Sequence, residues 1–243
     1  PVHPVATATD IDYVIEHANA VLAKPLTRDD VIGTWAGLRP LLQPGTKEGT
    51  SSAKVSPAHT AAPPPPGLTA IAGGKLTTYR VMAKDAVDFA LGDRAKALPS
   101  ITERIPLLGA VGLQALKRQG SRLERQFGWS TAMLDHLLHR YGSAVRDLMA
   151  AIQTQPDLAK PLEHASAYLR AEIHFAATHE QVLHLEDVLL HRTRLSYEIA
   201  DAGRAALDEI AAIVAPILGW DEAKVAAEKA SYIARCDATD AAA

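Results

Sequence analysis

From about residue 103 to the end of the sequence, apolar residues recur only at helical spacing; before residue 100 the spacing changes from segment to segment. That contrast limits the fold to two kinds of structure in one chain: an α+β piece, then an all-α piece. Helices are predicted near 111–127, 130–140, 143–153, 163–178, 186–198, 202–218 and 221–236. The clearest stripe is Leu207, Ile210, Ala211, Val214 and Leu218, closed by Gly219. Alanine carries much of the 48% apolar content and aromatics are only 5%, which favours helices over a β-sandwich. The 243 residues suffice for one large domain or two small ones. A net charge of −3, with both signs interspersed, argues against a nucleic-acid partner. No run of 18 apolar residues offers a membrane-spanning helix. The single cysteine, Cys236, rules out an internal disulfide framework and fits a reducing compartment.

The first hundred residues carry more varied signals. Thr7 and Asp10 are spaced as a capping box, and Ile11, Val14, Ile15, Ala18 and Leu22 follow at helical spacing until Pro25. In Val31 to Leu42 the period changes to two, which suits a strand placing Gly33, Trp35, Gly37 and Arg39 on one face. Two glycines beside an arginine would make a flat floor that a planar group can approach. Gln43 to Pro66 reads as a surface loop or hairpin with a polyproline end. Leu68 to Ala72 reads as a short buried strand. Gly73-Gly74 follows, and a helix begins near Lys75, with Tyr79, Met82, Ala83, Ala86, Val87 and Ala90 as its stripe and Gly92 as its cap.

The strand–Gly–Gly–helix turn, Ile71 to Arg80, is the most chemical segment. Free N–H groups at a helix start carry partial positive charge and attract anions or electron-rich atoms. Glycines let a ligand reach that backbone, Lys75 adds a full charge, and Thr77 and Thr78 add hydroxyls. The alternative is a tight turn with Gly for geometry and Thr for capping, and the residues alone leave both open. The sequence has neither GxxxxGK[ST] nor GxGxxG, so neither phosphate-binding pattern is read in it.

Four segments in the same order resemble the FAD-dependent glycerol-3-phosphate dehydrogenases: HPVATATDIDYVI, TWAGLRPLL, GGKLTTYRVMAKDAVD and EDVLLHRTRLSYE. The resemblance covers the whole chain and implies its C-terminal portion. Residues 1–98 would end the flavin- and substrate-contacting region, and 103–243 would form the helical C-terminal domain. Pro1 is no initiator, and the opening residues read as the middle of a longer sequence. The implied reaction moves a hydride from C2 of sn-glycerol 3-phosphate to FAD, giving dihydroxyacetone phosphate, with electrons then passed to a quinone or another acceptor. By the same resemblance Arg39 is a catalytic and substrate-binding residue, Lys75 binds substrate, and Gly73, Gly74, Leu76 and Thr77 contact FAD. A phosphomonoester does require fixed cations. A cytoplasmic protein is implied, with peripheral membrane contact or a homodimer compatible with it.

Two departures stand out. Pro57 sits where the family carries a second basic residue, with Lys54 and His59 nearby, and His191 replaces the first arginine of an RRTR motif. Arg192 and Arg194 remain, either as contacts to a ligand or as structural anchors near Glu186 and Asp187. Among ten histidines, His174, His179 and His184 rotate away from one another on a helix, and His136 and His139 lack a partner at ligand spacing, so no metal site is expected. Two other readings fit the same residues: an inactive helical interaction module, or a related amine or amino-acid oxidase. An Arg39–Lys75 phosphate pair disfavours the second.

Overall fold

The computed structural model of the chain describes residues 4–38, the backbone of 60–62, and 67–242. It groups into two compact units, one of Pro1–Ala36 with Leu107–Ala243 and one of Gly37–Pro106. In the smaller unit, strands β1 (Thr60–Ala62) and β2 (Ala70–Ala72) pair antiparallel, with Ala61 opposite Ile71. A single 3-10 turn, Leu76–Thr78, then leads into helix α2 (Tyr79–Leu91), which Gly92 closes at φ +56°. So the helix starts four residues later than its first expected position, behind a tighter turn. The strand expected to be buried is exposed, as are Tyr79 and Val87 of the α2 stripe. Among the described residues no side chain before Leu116 is buried. Of the apolar stripe, Met82 and Ala86 are half-buried, and Ala83 and Ala90 are exposed like Tyr79 and Val87.

The larger unit opens with α1 (Ala8–Asn19), capped as expected. The Thr7 N–H donates to Asp10 Oδ2 at 2.9 Å, and the Asp10 N–H donates to Thr7 Oγ1 at 3.3 Å. The helix stops well before Pro25, where the Asn19 side chain binds both backbone groups of Leu26. Arg28 grips Asp12 through two bonds, of 2.7 and 2.8 Å. The expected strand from Val31 has no regular structure over 31–38, and no described strand pairs with it.

The remainder is helical: α3 (Leu113–Arg118), α4 (Gly120–Phe127), α5 (Thr131–Tyr141), α6 (Val145–Thr154), α7 (Arg170–His179), α8 (Leu195–Glu198), α9 (Leu207–Leu218) and α10 (Glu222–Asp240). Several predicted helices resolve differently: 111–127 divides into α3 and α4, and 202–218 becomes α-helical only at Leu207. Residues 161–169 form a hairpin, β3 (Pro161–Leu162) with β4 (Ala165–Leu169), so the helix expected from 163 begins only at Arg170. Residues 186–198 split into a π-helical stretch, Asp187–Arg192, and the short α8.

Helix α7 is buried on nearly every side. Ala171 and Phe175 join a core with Leu137, Val145 and Leu148, whereas Ile173, Ala176 and Ala177 join a second core with Leu189, Ile210 and Val214. A helix so enclosed has no solvated face to carry its one charged core residue. Glu172 is fully buried and is satisfied instead by three donors: His136 Nε2 at 2.8 Å, the Tyr141 hydroxyl at 3.2 Å and the Leu169 N–H at 2.8 Å.

A second buried carboxylate, Glu228 on α10, accepts from Lys224 Nζ at 2.6 Å, the Leu185 N–H at 3.0 Å and, with its imidazole protonated or in the matching tautomer, His184 Nδ1 at 2.8 Å. Burial pushes its pKa up, but these partners outweigh burial and hold it below the usual 4.5. A depressed folded-state pKa gives stability that is present above the unfolded value and lost as pH falls through the folded one. Acid denaturation followed by circular dichroism should therefore show stability falling below about pH 4.5. Glu228→Gln should flatten that fall, and equal acid sensitivity of both proteins would contradict this assignment.

Candidate functional site

The turn after β2 is built by glycine. Gly73 sits at φ +106°, a conformation that a residue with a Cβ adopts only under strain. Gly74 is exposed, so the backbone here stands open to a ligand. Lys75 is the N-cap of the 3-10 turn, and its carbonyl accepts from the Thr78 N–H at 3.0 Å and the Thr78 hydroxyl at 3.1 Å. Thr78 thus fills a local capping role, while Thr77 keeps its side chain exposed. The N–H groups of Leu76 and Thr77 open the helical turn, where geometry supplies no partner within the helix. Lys75 is exposed, and among the described residues its ammonium forms no ion pair. The corner therefore gathers Gly73, Gly74, Lys75, Leu76 and Thr77 into one accessible, electropositive surface. Arg39 lies outside the described residues, as do Lys54, Pro57 and His59.

The segment from Gly33 to Trp35 does present a close-approach glycine, but against the chain itself. A Cβ on Gly33 would stand 3.0 Å from the Tyr197 carbonyl oxygen, and the Trp35 ring lies 5.4 Å from that of Tyr197. Both contacts line a cavity of about 320 Å3 within the larger unit, whose wall also includes Ser196, Tyr232 and Cys236. Among the described residues the Ser196 hydroxyl is buried without a partner, and burial pushes the Cys236 thiol up. Tyr232 and Cys236, one turn apart on α10, were the sequence signal for this wall, though their spacing alone does not separate cavity from core.

The segment Glu186 to Glu198 shows how its motif works. Thr193 is buried, donates its N–H to the Val188 carbonyl at 2.8 Å and its hydroxyl to the same oxygen at 2.7 Å, and so closes the π-helical turn. The Asp187 carboxylate accepts from the Leu183 and His184 N–H groups at 3.0 and 2.9 Å. Arg192 Nε donates to the Glu180 carbonyl at 2.6 Å, while the Arg194 side chain is exposed. Asp187, Arg192 and Thr193 are thus anchors of the fold. The expected pairing of the arginines with Glu186 or Asp187 is replaced by these backbone contacts. His136 serves Glu172 and His184 serves Glu228, and among the described residues no metal-binding group forms. Arg192→Ala should cost about 1.5–3 kcal/mol in urea unfolding, the value of a charge-assisted bond. Arg194→Ala should stay within about 0.5 kcal/mol.

Known proteins carry the same pattern. The family described as the C-terminal domain of alpha-glycerophosphate oxidase matches residues 100–225. Glycerol-3-phosphate dehydrogenase 2 of Mycobacterium tuberculosis is 47% identical over 237 residues, covering 97% of this chain and 40% of that protein. A mitochondrial glycerol-3-phosphate dehydrogenase of Arabidopsis thaliana is 33% identical, over 88% of this chain and 36% of its own length. The crystal structure of the glycerol-3-phosphate dehydrogenase from Bacillus halodurans complexed with FAD aligns with a TM-score of 0.73 and 26% identity, over 96% of this chain and 45% of its own. The chain thus spans well under half the length of these relatives. With its helical half matched over 126 residues of continuous sequence, the chain belongs to the family of the C-terminal domain of alpha-glycerophosphate oxidase.

Proposed function

We propose that the chain carries the substrate-phosphate and flavin-edge corner, together with the helical domain, of an FAD-dependent enzyme that oxidises sn-glycerol 3-phosphate. The observation that carries this reading is the open corner at the start of α2, where Gly73 is held at φ +106° and an exposed Lys75 stands beside the free helix start. Its relatives, named as glycerol-3-phosphate dehydrogenases, support the same substrate. The neighbour complexed with FAD supports the cofactor. In this reading residues 1–98 complete the flavin and substrate region and 103–243 form the helical domain.

The corner fits an electron-rich ring edge. Gly73 and Gly74 hold no side chain in its way, and the Leu76 and Thr77 N–H groups supply donors in the 3-10 turn that leads into α2. When bound, FAD supplies the two-electron acceptor for the C2 hydride. Lys75 acts as a point charge for the substrate phosphate, which carries nearly two negative charges. Arg39, placed by the sequence motif alone, adds a planar fork of donors for the phosphate or the C2 oxygen as it becomes a ketone. In that reading the C2 hydrogen would pass with its electron pair to the flavin and the hydroxyl proton to solvent water, which leaves dihydroxyacetone phosphate. Electrons then leave for a quinone or another acceptor, on the cytoplasmic side.

In the full-length protein, Lys75→Ala and Arg39→Ala should each lower kcat/KM for glycerol 3-phosphate by about 10- to 100-fold, since a bond to a charged group is worth about 1.5–3 kcal/mol. Unchanged kinetics in both variants would remove the phosphate reading. Gly74→Val should leave the thermal midpoint near that of the parent protein while lowering the flavin absorbance per polypeptide. Full flavin content in that variant would show that the ring edge lies elsewhere.

A further inference from the structure

We propose, resting on the reading of Arg39 as a substrate-binding residue, that Tyr197 is its positioning residue: from the helical domain it seats Gly33 and Trp35, and through them the segment that carries Arg39. The first sign is a glycine that the backbone does not require. The φ of Gly33 lies outside the left-handed region, so backbone conformation does not exclude a side chain there. Space does. A Cβ would stand 3.0 Å from the Tyr197 carbonyl oxygen, 3.4 Å from its Cα and 3.5 Å from its carbonyl carbon. These are backbone atoms, which cannot swing aside as the tip of a side chain does. At Gly37, by contrast, a Cβ would meet no described atom within 4 Å. Two residues after Gly33, the Trp35 and Tyr197 rings meet with centroids 5.4 Å apart and planes tilted by 57°. Residues 31–38 have no regular structure, and no described strand pairs with them. With no ladder to fix it, this stretch takes its place from such contacts, and residues up to Ala36 form one compact unit with the helical domain.

Tyr197 is itself fixed from behind. Its N–H and that of Glu198 both donate to the Arg194 carbonyl at 2.9 Å. The Arg194 N–H donates to the Tyr168 hydroxyl at 3.2 Å, and that hydroxyl donates to the Glu198 carboxylate at 2.8 Å. Leu195 is fully buried, and the Thr193 hydroxyl closes the π-helical turn just ahead of it. The seat of Gly33 and Trp35 is therefore as rigid as the core that backs α8. Arg39 follows Trp35 by four residues, at most about 14 Å of extended chain, so a change in that seat is carried to the guanidinium. A fork of donors holding a phosphate tolerates little displacement, since a misplacement of about 1 Å can cost roughly 100-fold in rate. Packing alone would make the Tyr197 contact matter for stability. Positioning makes it matter for the substrate, and only while Arg39 is present.

The test is a double-mutant cycle in the full-length protein, read as kcat and KM for glycerol 3-phosphate. Tyr197→Ala and Trp35→Ala should each raise KM about 5- to 20-fold, with kcat within about 3-fold and flavin content per polypeptide unchanged. Tyr197→Phe keeps the ring against Trp35 and should match the parent to within about 2-fold. In the Arg39→Ala background the same two alanine substitutions should change kcat/KM by less than about 2-fold, because residues that act through one another are not additive. Trp35 is 72% exposed, so its truncation keeps the cycle readable even where Tyr197→Ala lowers the thermal midpoint. Equal losses with and without Arg39, or a parent-like KM in both single variants, would overturn the proposal and leave the role of Arg39 standing. Parent-like kinetics of Arg39→Ala itself would instead remove the substrate reading of Arg39, and this proposal with it.

Discussion

The buried carboxylate of Glu172 is the constraint on which the helical unit is arranged. A charge taken fully out of water costs several kcal/mol unless it is paired and hydrogen-bonded. Its partners come from three places: the N–H that starts α7, the His136 ring one turn into α5, and the Tyr141 hydroxyl at the end of α5. Satisfying it therefore fixes where α7 begins and which face of α5 it meets. Tyr168, just before that start, reinforces the arrangement through its bond to Glu198 at 2.8 Å and its edge contact with the His136 ring. With α7 so placed, the two apolar cores fall on its opposite sides.

Around that frame, polar side chains mainly end and turn the chain. Asp187, Arg192 and Thr193 hold the π-helical stretch, and Asn19 closes the end of α1. Such residues resemble a ligand-binding motif in sequence because both roles demand charged groups at fixed spacing. What separates them is the partner: here each side chain reaches a backbone group of its own domain. The corner at Gly73–Thr77 is different in kind. Gly74 and Lys75 are exposed and Gly73 is half-exposed, and among the described residues the turn's own hydrogen bonds run from Thr78 back to Lys75 and from the Tyr79 N–H to the Leu76 carbonyl. Electropositive groups left in solvent beside a glycine at positive φ are suited to meeting something the chain itself does not supply.

The local grammar was legible. Thr7 with Asp10, Gly92 and Gly219 mark helix ends where they were read, since capping and positive φ depend on residues within one turn. The stripe of α9 is buried where its period placed it, and the membership in the glycerophosphate oxidase family agrees with motifs visible in the residues. The hairpin at 161–169 was missed because Ala165 to Leu169 fits a helical pattern equally well until Pro161 and Leu162 pair with it.

By itself the sequence determined most of the helices, the ends marked by Thr7 with Asp10, Gly92 and Gly219, and the turn that requires Gly73, all decided by neighbours a few bonds away. The tertiary structure decided what each element faces: Glu172 drawn into the core, Arg192 turned to a backbone carbonyl, β2 left exposed with Tyr79 and Val87 of α2. Burial depends on surfaces brought from distant parts of the chain, and a residue's own period cannot say which surface arrives.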